Sequence, residues 1–168
     1  SRWDGAAWQT IGGGGSTNST VWALGIFDGD LIAAGDFTRM DDVLADRVAR
    51  WDGSTWAPVG DAGADRRVRA VAVYDDELII GGDVTGVDGR PMNYASVWNG
   101  STWEPLGQGI LFESTNARLF ALRDYNGDLI AGGEFTAWGS GLAHFVAGWD
   151  GAHWYPLGEE IDGRVRAL

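Results

Sequence analysis

The sequence predicts an all-β chain assembled from tandem antiparallel units of four strands, and three observations carry that reading. A phrase of the form Trp-(Asp/Asn)-Gly-x-x-Trp occurs four times, at Trp3 to Trp8, Trp51 to Trp56, Trp98 to Trp103 and Trp149 to Trp154, and takes up eight of the ten tryptophans in 168 residues. Around it the text itself repeats. Val21, Leu31, Gly35, Thr38 and Trp51 recur 47 residues on as Val68, Leu78, Gly82, Thr85 and Trp98, and 51 residues further as Leu119, Leu129, Gly133, Thr136 and Trp149. A period of about 40 to 50 residues marks repeated sheets or stacked coils. Lastly, 27 glycines against 4 prolines punctuate many short segments, a pattern of turns and strands and not of a flexible linker.

Each element follows from its residues. The first strand of a unit (20–27, 67–74, 118–125) ends at Asp28-Gly29, Asp75-Asp76 or Asn126-Gly127, pairs that tolerate the positive φ of a tight hairpin. The second strand (31–35, 78–82, 129–133) is apolar throughout, which predicts a central strand covered on both faces. Gly35, Gly82 and Gly133 close it, where a side chain would obstruct a neighbouring backbone or a large ring; the tryptophans are the expected rings. A loop of constant length then spans 38–48, 85–95 and 136–146. The third strand ends at the first Trp of the phrase, Asp-Gly or Asn-Gly closes the next hairpin, and the fourth strand begins at the second Trp. Pro58, Pro105 and Pro156 share one place in that fourth strand. Proline lacks the N–H for one ladder bond, so this strand is predicted to be a sheet edge. The paired indoles, Trp3 and Trp8, Trp51 and Trp56, Trp98 and Trp103, and Trp149 and Trp154, are expected to wedge between successive units, each burial worth about 2–3 kcal/mol. The chain thus reads as one segment, 1–168. It has third and fourth strands alone in 1–12, complete units at 21–60, 68–107 and 119–158, and the first strand of a further unit at 164–168.

Composition removes several function classes. Net charge is -12, and all 12 residues of the Lys and Arg class are Arg, so a nucleic-acid backbone or an anionic membrane surface is repelled over most of the chain. No apolar run approaches the roughly 20 residues of a membrane helix, and no basic stretch followed by an apolar core opens the sequence. With no cysteine, disulfides, thiolate metal sites and a cysteine nucleophile are ruled out together.

In the order Leu-Ile-Ile-Gly-Gly (78–82), then the Trp98–Trp103 phrase, then Leu106-Gly107, and in the companion stretches 31–60 and 129–158, the chain resembles the kelch family of β-propellers. More closely, it is similar to the WDGxxW/LIAGGxFT repeat arrays of large secreted bacterial proteins. The resemblance implies a β-propeller of four-stranded antiparallel blades, about three complete blades with partial blades at both ends. It also implies an extracellular or cell-surface location, and it fixes no activity, because propellers carry many unrelated ones. A ring usually needs about four to eight blades. The remaining blades are therefore expected from the same longer chain, or from a second copy completing the ring. Composite blades made by two copies would lack a second strand, which favours the longer chain. Copper oxidases built on kelch propellers require a cysteine cross-link, which this chain cannot make. The sialidase-type motif Asp-x-Gly-x-Thr-Trp is met only in part by Asp52-Gly53-Ser54-Thr55-Trp56, one residue shorter, and in those enzymes it lies away from catalysis.

Alternating strand direction places the ten-position loops and the inter-unit connections on one face, where ligand specificity is expected. Tyr94, Trp138 and His144 are the candidates there. On the first strand, Val21/Val68/Leu119/Val165 and Ala23/Ala70/Ala121/Ala167 barely change, while the residue between them reads Trp22, Arg69, Phe120, Arg166. Rings and guanidinium groups alternating on an innermost strand would suit a channel mouth that takes an anion or stacks a ring; equally, they could simply pack on one another. No catalytic residue is assigned. Asp28, Asp52, Asp75 and Asp150 have turn duties, and His144 and His153 are too few for a histidine-built metal centre. The Asp124–Asp128 stretch reads as an ordinary turn in preference to a calcium loop, so no metal and no cofactor are expected. The expected function is a non-catalytic binding module for a protein or a surface. The alternatives are a glycan-binding lectin and a part of an enzyme whose active site lies in other blades.

Overall fold

The computed structural model describes residues 1–12, 17–108, 117–138, 142–158 and 161–168, and every regular element among them is a β-strand. A hairpin of β1 (Arg2–Trp3) and β2 (Trp8–Gln9) comes first. The first unit contains β3 (Val21–Phe27), β4 (Asp30–Gly35), a small loop hairpin of β5 (Arg39–Met40) and β6 (Val43–Leu44), then β7 (Val48–Trp51) and β8 (Trp56–Pro58). The second contains β9 (Val68–Tyr74), β10 (Glu77–Gly82), the loop hairpin β11 (Gly86–Val87) and β12 (Arg90–Pro91), then β13 (Ala95–Trp98) and β14 (Trp103–Pro105). The third contains β15 (Arg118–Tyr125), β16 (Asp128–Trp138), β17 (Leu142–Trp149) and β18 (Trp154–Pro156). Each unit forms one four-stranded antiparallel sheet with its strands in chain order, so the proline-bearing strand lies at one edge and the first strand at the other.

Local chemistry accounts for the hairpins. Asp28 and Gly29 have φ of 52° and 82°, Asp75 and Asp76 51° and 59°, and Asn126 and Gly127 55° and 90°. Two left-handed residues in succession match the right-handed twist of the strands they join. In the turns of the repeated phrase a side chain does the closing. One carboxylate oxygen of Asp52 accepts the amides of Ser54 and Thr55 at 2.7 Å each, and Asp4, Asn99 and Asp150 repeat the arrangement. These amide bonds hold the carboxyls of Asp4, Asp52 and Asp150 below the ordinary aspartate range.

Packing between sheets comes from the second strands, whose residues are buried on both faces. Ile32 and Ala34 of the first sheet meet Val68, Leu78 and Ile80 of the second, while Ala70 and Ile79 of the second meet Leu119, Leu129 and Ala131 of the third. The first strands β3, β9 and β15 lie side by side.

Four expectations change. The loop between second and third strands is not irregular: it carries its own hairpin in two units. In the third unit it zips into the main ladder, so that β16 runs eleven residues past a register shift between Gly132 and Thr136. Residues 164–168 form no strand. One backbone bond, from the Val165 amide to the Gly133 carbonyl at 3.0 Å, ties them to the third sheet, with side-chain bonds from Arg164 to Glu134 and from Arg123 to the Leu168 carbonyl beside it. The glycines that close the second strands make way for backbone: a Cβ at Gly35, Gly82 or Gly133 would collide with the carbonyl oxygen of Thr20, Arg67 or Arg118, and the nearby rings are Phe37 and Phe135, not indoles. Finally, Trp56, Trp103, Trp149 and Trp154 are buried, Trp51 and Trp98 are half-buried, but Trp3 and Trp8 are exposed. The indoles are covered where a neighbouring unit lies against them and not otherwise.

Candidate functional site

Every first strand contains a β-bulge, and the bulged residues are those that break the repeat. In the first sheet Val21 pairs with Gly35 and Ala23 with Ala34, leaving Trp22 over. Arg69 is left over between Val68 and Ala70, and Phe120 between Leu119 and Ala121. A bulge re-aims its side chain out of the ladder, and side-by-side first strands bring the re-aimed groups together. The Arg69 guanidinium lies 5.5 Å from the Trp22 ring and 5.3 Å from the Phe120 ring, and Arg166 lies 5.8 Å from Phe120. The four residues form one column in the order Trp22, Arg69, Phe120, Arg166, with Arg67 also over Trp22 at 5.6 Å.

Carboxylates fasten the column. Arg69 Nε and Nη2 donate to the two oxygens of Asp83 at 2.8 and 3.1 Å, and its side chain is only 13% exposed. Arg67 Nε donates to Asp36 at 2.6 Å, and the Trp22 indole N–H reaches the other Asp36 oxygen at 3.1 Å. Burial pushes the Asp36 carboxyl up, but the bonds from Arg67 and Trp22 and the charges of Arg67 and Arg69 outweigh it, so the group stays below its ordinary value. In the third unit Glu134 takes the same place and accepts from Arg164 at 2.9 Å. The Nε–Nη2 edge of Arg69 is therefore taken by Asp83, and the ring left open to a ligand is Trp22, 49% exposed.

The loop-face candidates do other work. Tyr94 has φ of 65°, its amide donates to the Val84 carbonyl at 3.0 Å, its carbonyl accepts from Gly82 at 3.1 Å, and its half-buried side chain packs on the core between the second and third sheets. Arg47 and Phe145 occupy the same place with φ of 70° and 64°. His144 is exposed, opposite Thr136 in the ladder, with its ring 6.3 Å from Phe145. Trp138 pairs with Leu142 at the far end of that ladder; its side chain lies outside the described ones. The structure thus gathers Trp22, Arg69, Phe120 and Arg166, while Tyr94 and His144 sit in the loop architecture.

Two sets of residues escaped the sequence reading. The acids Asp36, Asp83 and Glu134 each follow the glycine that closes the second strand, and that recurrence was a usable signal. The other set clamps the inter-unit connection. Asp88 accepts the amides of Asp61, Ala62 and Gly63 at 3.1, 2.7 and 2.8 Å, and Asp65 holds the Thr85 amide as Asn18 holds that of Thr38. Beside this clamp an open crevice of about 560 Å³ is lined by Asp36, Arg47, Asp65, Arg66, Arg67 and Asp83, with charges of both signs. Among the described residues no cluster of three or more His, Asp or Glu side chains is placed to hold a metal ion. No protein-family model matches the chain, and no curated protein matches its sequence.

Proposed function

We propose that the three sheets are blades of a kelch-like β-propeller, and that the chain serves as a non-catalytic binding module of an extracellular or cell-surface protein. The observation that supports this reading is the column of bulged residues. Its charged members are tied to carboxylates and rings and so hold adjacent sheets together, whereas in the loop between second and third strands the third unit departs from the other two. Recognition of a protein or surface partner then falls to those loops, and to the third one above all. The test exchanges residues 136–146 for 85–95. The exchanged chain should keep its thermal midpoint and lose retention of its partner from an extracellular protein fraction; retention unchanged by the exchange would overturn the loop assignment.

A second reading is favoured by the exposed indole of Trp22, backed by Arg67 and Arg69: a lectin in which that ring stacks on a sugar. Saturable signals on a glycan array, lost on Trp22→Ala but not on the loop exchange, would replace the first reading with this one.

A further inference from the structure

The face of β3 turned away from the second sheet is uncovered. Leu24 and Ile26 on it are 63% and 64% exposed. They floor a groove of about 680 Å³ whose rim includes Arg2, Ile11, Leu31 and Trp51. One wall is β1, bonded to β2 along one edge and, among the described residues, to nothing along the other.

The same position in the repeat is covered elsewhere in the molecule. Val71, the counterpart of Leu24, lies against Gly25 of the first sheet, and Leu122, the next counterpart, lies against Gly81 of the second. In both cases the cover is the first-and-second-strand hairpin of the preceding sheet, presenting glycine or alanine to a branched side chain. The open edge of β1 also has a counterpart in each sheet, where the second strand pairs with the third and sets a leucine opposite the first tryptophan: Leu31 with Trp51, Leu78 with Trp98, Leu129 with Trp149. An unpaired strand edge beside an exposed apolar floor is the arrangement that accepts added strands.

We propose that this groove is a docking site for a β-hairpin with the repeat's own first-and-second-strand pattern. Its second strand joins the free edge of β1 with a leucine opposite Trp3, and its small residues lie on Leu24 and Ile26. The inference rests on the stacking of like sheets and is independent of the ligand assigned to the loops. A second copy of the chain fits less well, because the small-residue faces of its own hairpins are already covered, Gly25 by Val71, Gly81 by Leu122 and Gly132 by Val165.

Register makes the test sharp. Ala72 is the counterpart of Gly25, and a Cβ at Gly25 would stand 3.7 Å from the Cβ of Val71, close to the roughly 3.8 Å of a disulfide. The chain has no cysteine of its own. Leu24→Cys in the full chain, mixed with a synthetic copy of residues 67–82 carrying Ala72→Cys in a buffer of reduced and oxidised glutathione, should give a mixed disulfide, the oxidised glutathione being reduced to two thiols. The yield should be on the order of tenfold above that of a peptide with Val73→Cys, which points to the opposite face. A copy of residues 118–133 with Arg123→Cys is a second probe of the same register. Cysteine-free peptide should shift tryptophan emission saturably, and Ile26→Glu should weaken that binding by about tenfold or more, while Leu44→Glu, exposed elsewhere, leaves it unchanged. Equal trapping of both cysteine positions, or of neither, overturns the proposal. So does a self-associated chain that Ile26→Glu returns to monomer, since a second copy would then fill the groove. Partner retention by the loops should be indifferent to Ile26→Glu, which separates failure here from failure of the proposed function.

Discussion

The second tryptophan of the repeated phrase is 1% exposed at Trp103 and 69% exposed at Trp8, although the two hairpins are built alike. Their ring pairs are 5.3 and 5.7 Å apart, and Asn99 and Asp4 each receive amides from two and three residues on. The hairpin is therefore a product of its own six residues, while burial of the indole is supplied by the preceding unit. At Trp103 that unit contributes the Val59 carbonyl, which accepts the indole N–H at 3.1 Å, and Gly60, which leaves room for the ring. The side chain is the same at both sites; what differs is whether a neighbour excludes water from it.

The largest test of this contrast is truncation. Trp103→Ala should cost about 3–5 kcal/mol and Trp8→Ala no more than about 0.5 kcal/mol, both read from urea unfolding midpoints; similar costs would mean that the hairpin, not the neighbour, carries the energy. Glycine substitutions separate crowding from local strain. Gly82→Ala drives a methyl group into the Arg67 carbonyl and should cost about 1–3 kcal/mol or more. Gly53→Ala, at φ of 99° with nothing near the added carbon, should cost only the backbone strain, about 1–2 kcal/mol. In the column, Arg69→Met leaves Asp83 without its fork and should lower stability by about 1–3 kcal/mol, with Arg166→Met, at the exposed end, inside about 0.5 kcal/mol.

The smallest effect concerns acid. Asp4, Asp52 and Asp150 are held below their unfolded value by amide bonds. Their contribution is therefore present above about pH 4, the unfolded aspartate value, and is lost as pH falls through the lower folded one. Asp52→Asn copies the turn at Asn99. It should leave stability at pH 7 nearly unchanged and flatten the acid limb of a stability-against-pH curve; an unaltered limb would show that the turn carboxylate does not contribute to it.

How much of this was legible depended on how local the cause is. The strand order and the positive-φ turns follow from adjacent residues such as Asn126-Gly127 and from the apolar run 78–82, and sequence reading reached them. The alternation of Trp22, Arg69, Phe120 and Arg166 was visible, but the bulges that re-aim three of them were not, because a bulge is decided by register against β4, β10 and β16. The loop hairpins β5–β6 and β11–β12 have strands of two residues, too short for any periodicity to show. The exposure of Trp3 and Trp8 depends on what lies against them, which their own phrase does not encode.

The column also sets a rule of parity. Aromatic and cationic members take turns along it, so duplicating a single unit, or deleting one from the interior, would bring guanidinium against guanidinium, or ring against ring with no cation between them. Within its interior, an array of this kind keeps its alternation only when units are gained or lost in pairs.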